Sequence, residues 1–186
     1  MNNSRNSPAS LIESNVSSPS SDNSKWYALY TRSHFEKKVY GDLLKSKFNA
    51  FLPLVKEYHT WSDRVKPVFV PLLPSYVFVN SGQADMRRLG IISGVVRLIS
   101  FGGKPCEIRE DEIRLLRSIV QHGFKAQCTG AMNCAVGDYV RIVRGPMKGW
   151  EGRVEMLCGQ SRVVFQINSI RQAISVEVGM GDLERV

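Results

Sequence analysis

Cysteine is sparse in this 186-residue chain, and the four present are badly spaced for chelation. Cys106, Cys128, Cys134 and Cys158 lie 22, 6 and 24 residues apart, so no pair makes the short Cys-x-x-Cys knuckle of a zinc site, and free thiols are expected. Histidine is rarer still: His34, His59 and His122 are scattered, with no nucleophile set beside a base and no paired carboxylates, so neither an enzyme nor a bound cofactor or metal is expected. No run approaches the roughly 18 apolar residues of a membrane span, and no basic segment leads into an apolar one at the N-terminus. These absences point to a reducing, cytoplasmic setting and no membrane partner. Residues 1–24 also lack the means to fold, for they hold nine Ser and five Asn with only Leu11, Ile12 and Val16 as sizeable apolar side chains. A disordered tail is expected there.

What is present is basic charge, unevenly placed. Of a net +8, residues 25–124 carry 16 Lys and Arg against 9 Asp and Glu, while the flanking segments are close to neutral. Such a surface attracts polyanions, nucleic acid first among them. A basic face kept for solubility is the plainer alternative.

Periodicity then divides the chain. The aromatic-rich run Trp26 to Thr31 reads as a strand, and Ser33 with Glu36 three residues on reads as a capping box opening a helix. Phe35, Val39, Leu43, Leu44 and Phe48 form its buried stripe, with Lys37, Lys38, Lys45 and Lys47 facing water. Extended stretches follow at Phe51 to Tyr58 and Val68 to Val70. Between them His59 to Lys66 reads as an exposed hairpin loop, with Arg64 and Lys66 positioned to meet nucleic acid. Tyr76 to Val79 is a strong strand in which Tyr76 and Phe78 share one face and Val77 and Val79 the other. A short helix at Ala84 to Leu89, a strand at Val95 to Ser100 and a helix from about Glu110 to His122 complete this half; Ile113, Leu116 and Val120 share a face and Gly123 supplies the stop. The order implies an α+β domain over 25–124 with one open sheet. A linker is expected at 125–135. Residues 136–186 show short strands at Tyr139 to Val143, Gly152 to Met156, Arg162 to Ile167 and Ile174 to Val178, glycine-punctuated and without helical period, which predicts a small antiparallel barrel.

The most specific string is GDYVRIVRGPMKGWEGRVE, residues 137–155. Gly145 and Pro146 turn the chain, Gly149 and Gly152 sit where other residues are often excluded, and Tyr139, Val140, Ile142 and Val154 supply strand and core. A phosphate-cradling loop is the rival, but Lys148-Gly149 is not followed by Ser or Thr. The string resembles the KOW motif of NusG-type factors and some ribosomal proteins, at Gly137, Asp138, Val140, Gly145, Pro146, Lys148, Gly149 and Gly152.

The first half adds Trp26-Tyr27 opening a strand, the helix bearing Glu36 and Lys38-Val39, the block PVFVPLLPSYVFV from Pro67 to Val79, and Gly94-Val95-Val96. Together these resemble the NusG N-terminal (NGN) domain, so that the likeness spans about 25–186. Ser75 departs from the glycine usual in the Pro-Gly-Tyr form of that block, and the Val-Pro-Leu lead-in is most similar to the UpxY paralogues linked to capsular polysaccharide operons.

The resemblance implies an NGN domain followed by an SH3-like KOW barrel. It implies a monomeric transcription elongation or antitermination factor, operon-specific in the UpxY case, that suppresses pausing or termination. It implies docking on the clamp helices of the large subunit of RNA polymerase through Tyr30, Leu73, Tyr76 and Phe78, and a second, gate-loop contact near Met86, Arg87 and Arg88. Nontemplate DNA or nascent RNA are further partners, and the barrel recruits Rho or a ribosomal protein. Ile170 occupies the position of the family's exposed aromatic, followed by Arg171 where glycine is usual, which puts Rho recruitment in doubt. A general NusG-like elongation and termination factor, and a ribosome-associated KOW RNA-binding protein, are the rival functions.

Overall fold

A computed structural model describes residues 24–61, 64–131, 137–157 and 160–186. Residues 1–23 of the tail expected to be disordered and the segment 132–135 of the expected linker lie outside the described residues.

The N-terminal half is one antiparallel sheet between two helical layers. Its centre is β1 (Lys25–Thr31). Along one edge β1 pairs with β5 (Tyr76–Ser81), which in turn pairs with β2 (Asn49–Phe51). The other edge is shared: β9 (Glu107–Ile108) pairs with Trp26 and Tyr27, and β6 (Val95–Leu98) with Leu29 to Thr31. Alternation sorts the side chains as expected. Tyr27, Leu29, Val77 and Val79 pack with Val39 and Leu43 of α1 (Glu36–Lys45) and Leu89 of α2 (Met86–Gly90). Trp26, Ala28 and Phe78 face the other way, into the core that also holds Ile113, Leu115, Leu116 and Ile119 of α3 (Glu110–Gln121). Val120, expected in that stripe, is only half-buried, while Gly123 stops the helix at φ +64° as expected.

Helix α1 corrects one local expectation. It begins at Glu36, because His34 takes φ +64° and so cannot continue a helix. The Glu36 carboxylate does not return to Ser33; it accepts the Ser75 amide proton at 2.7 Å, from 39 residues away. Likewise His59 to Trp61 and Arg64 to Lys66, read as loop, are strand, residues 62–63 lying outside the described residues. Strands β3 (Leu54–Trp61) and β4 (Arg64–Pro71) pair from Leu54 opposite Pro71 to Trp61 opposite Arg64, with His59 opposite Lys66, into a two-stranded ribbon. A second, unforeseen hairpin joins β7 (Ser100–Phe101) to β8 (Lys104–Pro105) through Gly102 and Gly103, both at positive φ.

The C-terminal half is a six-stranded antiparallel sheet, and it starts earlier than expected. Strand β10 (Ala126–Ala131), read as linker from its composition, pairs with β14 (Gln172–Glu177). The order continues through β13 (Gln160–Ile167), β12 (Glu151–Leu157), β11 (Tyr139–Ile142) and β15 (Leu183–Arg185). Val140, Ile142, Met147, Val163, Phe165, Ile167, Ile174 and Val176 are buried within it.

Candidate functional site

Three side chains line up across the N-terminal sheet, because backbone register places Tyr76 of β5 opposite Tyr30 of β1, and Tyr30 opposite Arg97 of β6. The tyrosine rings meet edge to face, centroids 5.5 Å apart at 77°, and the Arg97 guanidinium carbon lies 5.5 Å from the Tyr30 ring centre. Both tyrosines are half-buried and Arg97 is exposed, so the row offers aromatic surface with a cation beside it.

One register step inward the surface is closed. Phe78 pairs with Ala28 and Phe51, stacks near the Phe51 ring at 6.2 Å, and is 0% exposed. Above this row Arg117 of α3 spans the Trp26 and Phe51 rings at 5.2 and 5.5 Å. Leu73 is also wholly buried, in the turn whose carbonyl accepts from the Tyr76 amide. Of the four side chains expected on the docking face, only Tyr30 and Tyr76 are accessible here. Phe78 and Leu73 belong to the core: strand parity is right for Phe78, but a helix some 30 residues further along the chain covers that part of the face.

The second expected contact set lies elsewhere. Met86 packs half-buried against the α1-side core, whereas Arg87 and Arg88 are exposed; Arg88 pairs with Asp85 at 2.8 Å and stacks over Phe48. Exposed Ile91 and half-buried Ile92 border Arg88 in an open groove, a feature sequence reasoning missed. Arg64 and Lys66 sit near the end of the ribbon, exposed, on the face they share with Glu57 and His59.

In the C-terminal half the glycine-rich string forms a hairpin and its turn. Gly145 and Gly149 take φ +75° and +91°, and the Gly149 amide donates to the Ile142 carbonyl at 2.7 Å. Pro146 and Lys148 lie in this turn, Met147 buries its side chain beneath it, and Arg141 clasps Glu151 across the strands at 2.6 Å. Gly137 and Gly152 serve close packing. A side-chain carbon on Gly137 would fall 1.6 Å from the Val154 carbonyl oxygen, and one on Gly152 would fall 2.7 Å from that of Val164. Asp138 pairs with Arg185 at 2.9 Å, and Val140 is core.

Ile170 is not presented to solvent. It is 5% exposed, at the end of a short 3-10 turn that rests on the N-terminal domain. Buried Glu112 of α3 accepts the Ser169 amide at 3.1 Å and its hydroxyl proton, the Cys106 thiol donates to the Ser169 carbonyl at 3.0 Å, and Arg171 covers exposed Phe101 at 4.8 Å. Burial and the nearby Glu112 and Glu107 carboxylates push the Cys106 thiol pKa up. Among the described residues no cluster of His, Cys, Asp and Glu could hold a metal, and no helix is long and apolar enough to cross a membrane.

An α+β domain bearing an aromatic row on its sheet, followed by a β-rich domain with a glycine-shaped hairpin, defines a class that known proteins share. The profile of the family described as "NusG: Transcription termination factor nusG" matches residues 24–117. The NusG transcription termination/antitermination proteins of Staphylococcus carnosus and Staphylococcus aureus are 26% and 25% identical over 177 residues, 87% of this chain and 96% of theirs. A solved structure described as "Domain interaction in Thermotoga maritima NusG" superposes with a TM-score of 0.60 at 21% identity, covering 88% of this chain and 98% of that one. This chain belongs to the NusG family, whose members are transcription factors and not enzymes.

Proposed function

We propose that the protein is an operon-specific elongation and antitermination factor, which docks on the clamp helices of RNA polymerase through its N-terminal domain and suppresses pausing or termination there. The observation that carries this reading is the row Tyr76–Tyr30–Arg97: two half-buried aromatic rings and a cation, open at one end of an otherwise covered sheet. Aromatic anchors of this kind bury much area at small entropic cost and dominate interface energies. Arg87 and Arg88 are the exposed members of the second contact, toward the gate loop, and Arg64 and Lys66 reach nontemplate DNA or nascent RNA as phosphate contacts.

The specialised role, of the capsular-operon UpxY kind, is supported by the Ile170 loop. Where a recruiting surface needs an exposed anchor, this KOW-like domain buries an isoleucine in a turn that is tied to the N-terminal domain through Ser169. Capture of Rho or of a ribosomal protein would first require that loop to be released. A general elongation factor is the second reading, favoured by similarity over 87% of this chain and 96% of the staphylococcal proteins.

A pull-down with purified polymerase tests the docking. Capture should survive nuclease and fall at least about tenfold in the Tyr30→Ala, Tyr76→Ala double variant, loss of one buried aromatic anchor being worth roughly 2 kcal/mol or more. Undiminished capture by a folded double variant ends the docking reading. Polymerase occupancy across the genome separates the two roles, a general factor travelling on most transcribed genes and a specialist on few.

A further inference from the structure

The β3–β4 ribbon has two unlike faces, and the sequence singled out only one of them. Register pairs Lys56 with Phe69, Tyr58 with Pro67 and Thr60 with Val65, so these six side chains share a face. Arg64, Lys66, His59 and Glu57 share the opposite face, where His59 approaches the Glu57 carboxylate at 3.2 Å. Near the sheet the ribbon is anchored by buried Val55 and half-buried Val70; beyond them residues 56–60 and 64–67 are exposed. Tyr58 is 65% exposed and Val65 58%, among the large hydrophobic side chains that the fold leaves open to solvent. The Lys56 ammonium stands 5.1 Å from the Tyr58 ring centre, and at the ribbon's base Lys37 reaches in from α1 to donate to the Phe69 carbonyl at 2.6 Å.

We propose that the Lys56–Tyr58–Val65–Pro67 face is a track for single-stranded nucleic acid, with the Tyr58 ring as the platform on which a base stacks and Lys56 as a phosphate contact. Three observations select this ligand. The face carries an aromatic ring and an ammonium group but no carboxylate, since Glu57, the acid among the ribbon's described residues, points the other way. The ribbon extends from a domain with 16 basic against 9 acidic residues, which draws a polyanion toward it. The Tyr58 ring is also open to solvent, and a base needs only a flat exposed ring to lie on. The strand must be single, because bases within a duplex already stack on one another and present no free face.

The proposal deepens the nucleic-acid part of the function proposed above, yet it is separable from polymerase docking, for Tyr58 lies on the ribbon and Tyr30 and Tyr76 on the sheet. The test uses the full chain with labelled DNA and RNA single strands of about 12 nucleotides and the corresponding DNA duplex, followed by fluorescence anisotropy over a range of salt. Either single strand should bind more tightly than the duplex, the stronger of the two identifying the natural source. Tyr58→Ala should weaken single-strand binding about fivefold or more at every salt concentration, while Tyr58→Phe retains it, since stacking is the salt-independent part of the affinity. Lys56→Gln should instead lower the salt slope by about 0.7, the contribution of one phosphate contact on a single strand. Unchanged oligonucleotide binding by Tyr58→Ala overturns the proposal and leaves the face to a protein partner, as does equal affinity for duplex and single strand. Polymerase capture by Tyr58→Ala should match the unaltered protein, so that loss of the track and loss of docking are read apart.

Discussion

Ser75 sits at φ +66°, in the left-handed region, where a side chain costs about 1–2 kcal/mol and glycine is at ease. The conformation is held from both sides: the Ser75 amide donates to Glu36, and its carbonyl accepts from the Thr31 amide at 2.9 Å. Those two bonds fasten the turn before β5 to the start of α1 and the end of β1, and so fix where Tyr76 emerges beside Tyr30. Ser75→Gly should therefore stabilise the protein, although glycine's greater chain entropy offsets part of the gain, leaving a rise of a few degrees in melting temperature. A fall on thermal denaturation would contradict this account of the turn. In the sequence the site showed only as a serine within the Pro67–Val79 block, and Glu36 read as a local cap. Its true acceptor role was hidden because the donor lies 39 residues away.

Strands carried by alternating or aromatic runs were legible in the sequence alone: β1, β5 and the four strands expected in the C-terminal half all form, within a residue or two of their anticipated ends. Elements whose stability comes from a distant partner were not. Ala126–Ala131 has little apolar bulk of its own and becomes a strand because β14 offers it an edge. The ribbon extends almost to its tip because cross-strand pairing continues through polar residues that composition assigns to a loop. Within the C-terminal hairpin, Gly152 matters as an absence of volume, for β12 crosses β13 so closely that any side chain would meet the Val164 carbonyl and the Val163 methyl. Gly152→Ala should cost about 1–3 kcal/mol, the usual range for overpacking, read as a lower denaturant midpoint. Substitution without effect would mean the strands can separate freely at that point.

At the scale of the whole molecule, the N-terminus of α3 is one place where the two halves of the chain meet. The Glu112 carboxylate accepts two hydrogen bonds from Ser169 and a third from the Arg109 amide at 3.1 Å, so its removal would leave buried donors unpaired. Cys106 reports on this junction. Its pKa is raised, first by burial and then by Glu112 and Glu107, so the thiol stays protonated to higher pH than a free cysteine. The folded value exceeds the unfolded one, so the stability this thiol contributes is complete below the ordinary thiol pKa. It is lost as pH rises through the raised native value. Alkylation of Cys106 at pH 8 should therefore be slow, and Glu112→Ala should accelerate it by removing both a raising charge and the bonds to Ser169. Glu110→Ala, two positions earlier on the exposed side, should not. Peptide mapping of the alkylated protein measures both rates, and equal rates in the two variants would refute the role given to Glu112 in shielding Cys106.

By itself the chain determined which segments become strands and helices, which side chains share a strand face, and where glycines must turn the hairpin, because these follow from side-chain period and backbone sterics within a few residues. Tertiary structure decided what parity cannot: that α3 closes over Phe78 and leaves Tyr30 and Tyr76 at the open end of the same face, and that Ile170 is buried in a turn whose Ser169 bonds to Glu112. It also decided which face of the ribbon carries Tyr58 and which carries Arg64. Accessibility depends on what packs from elsewhere in the chain, and no local pattern encodes that.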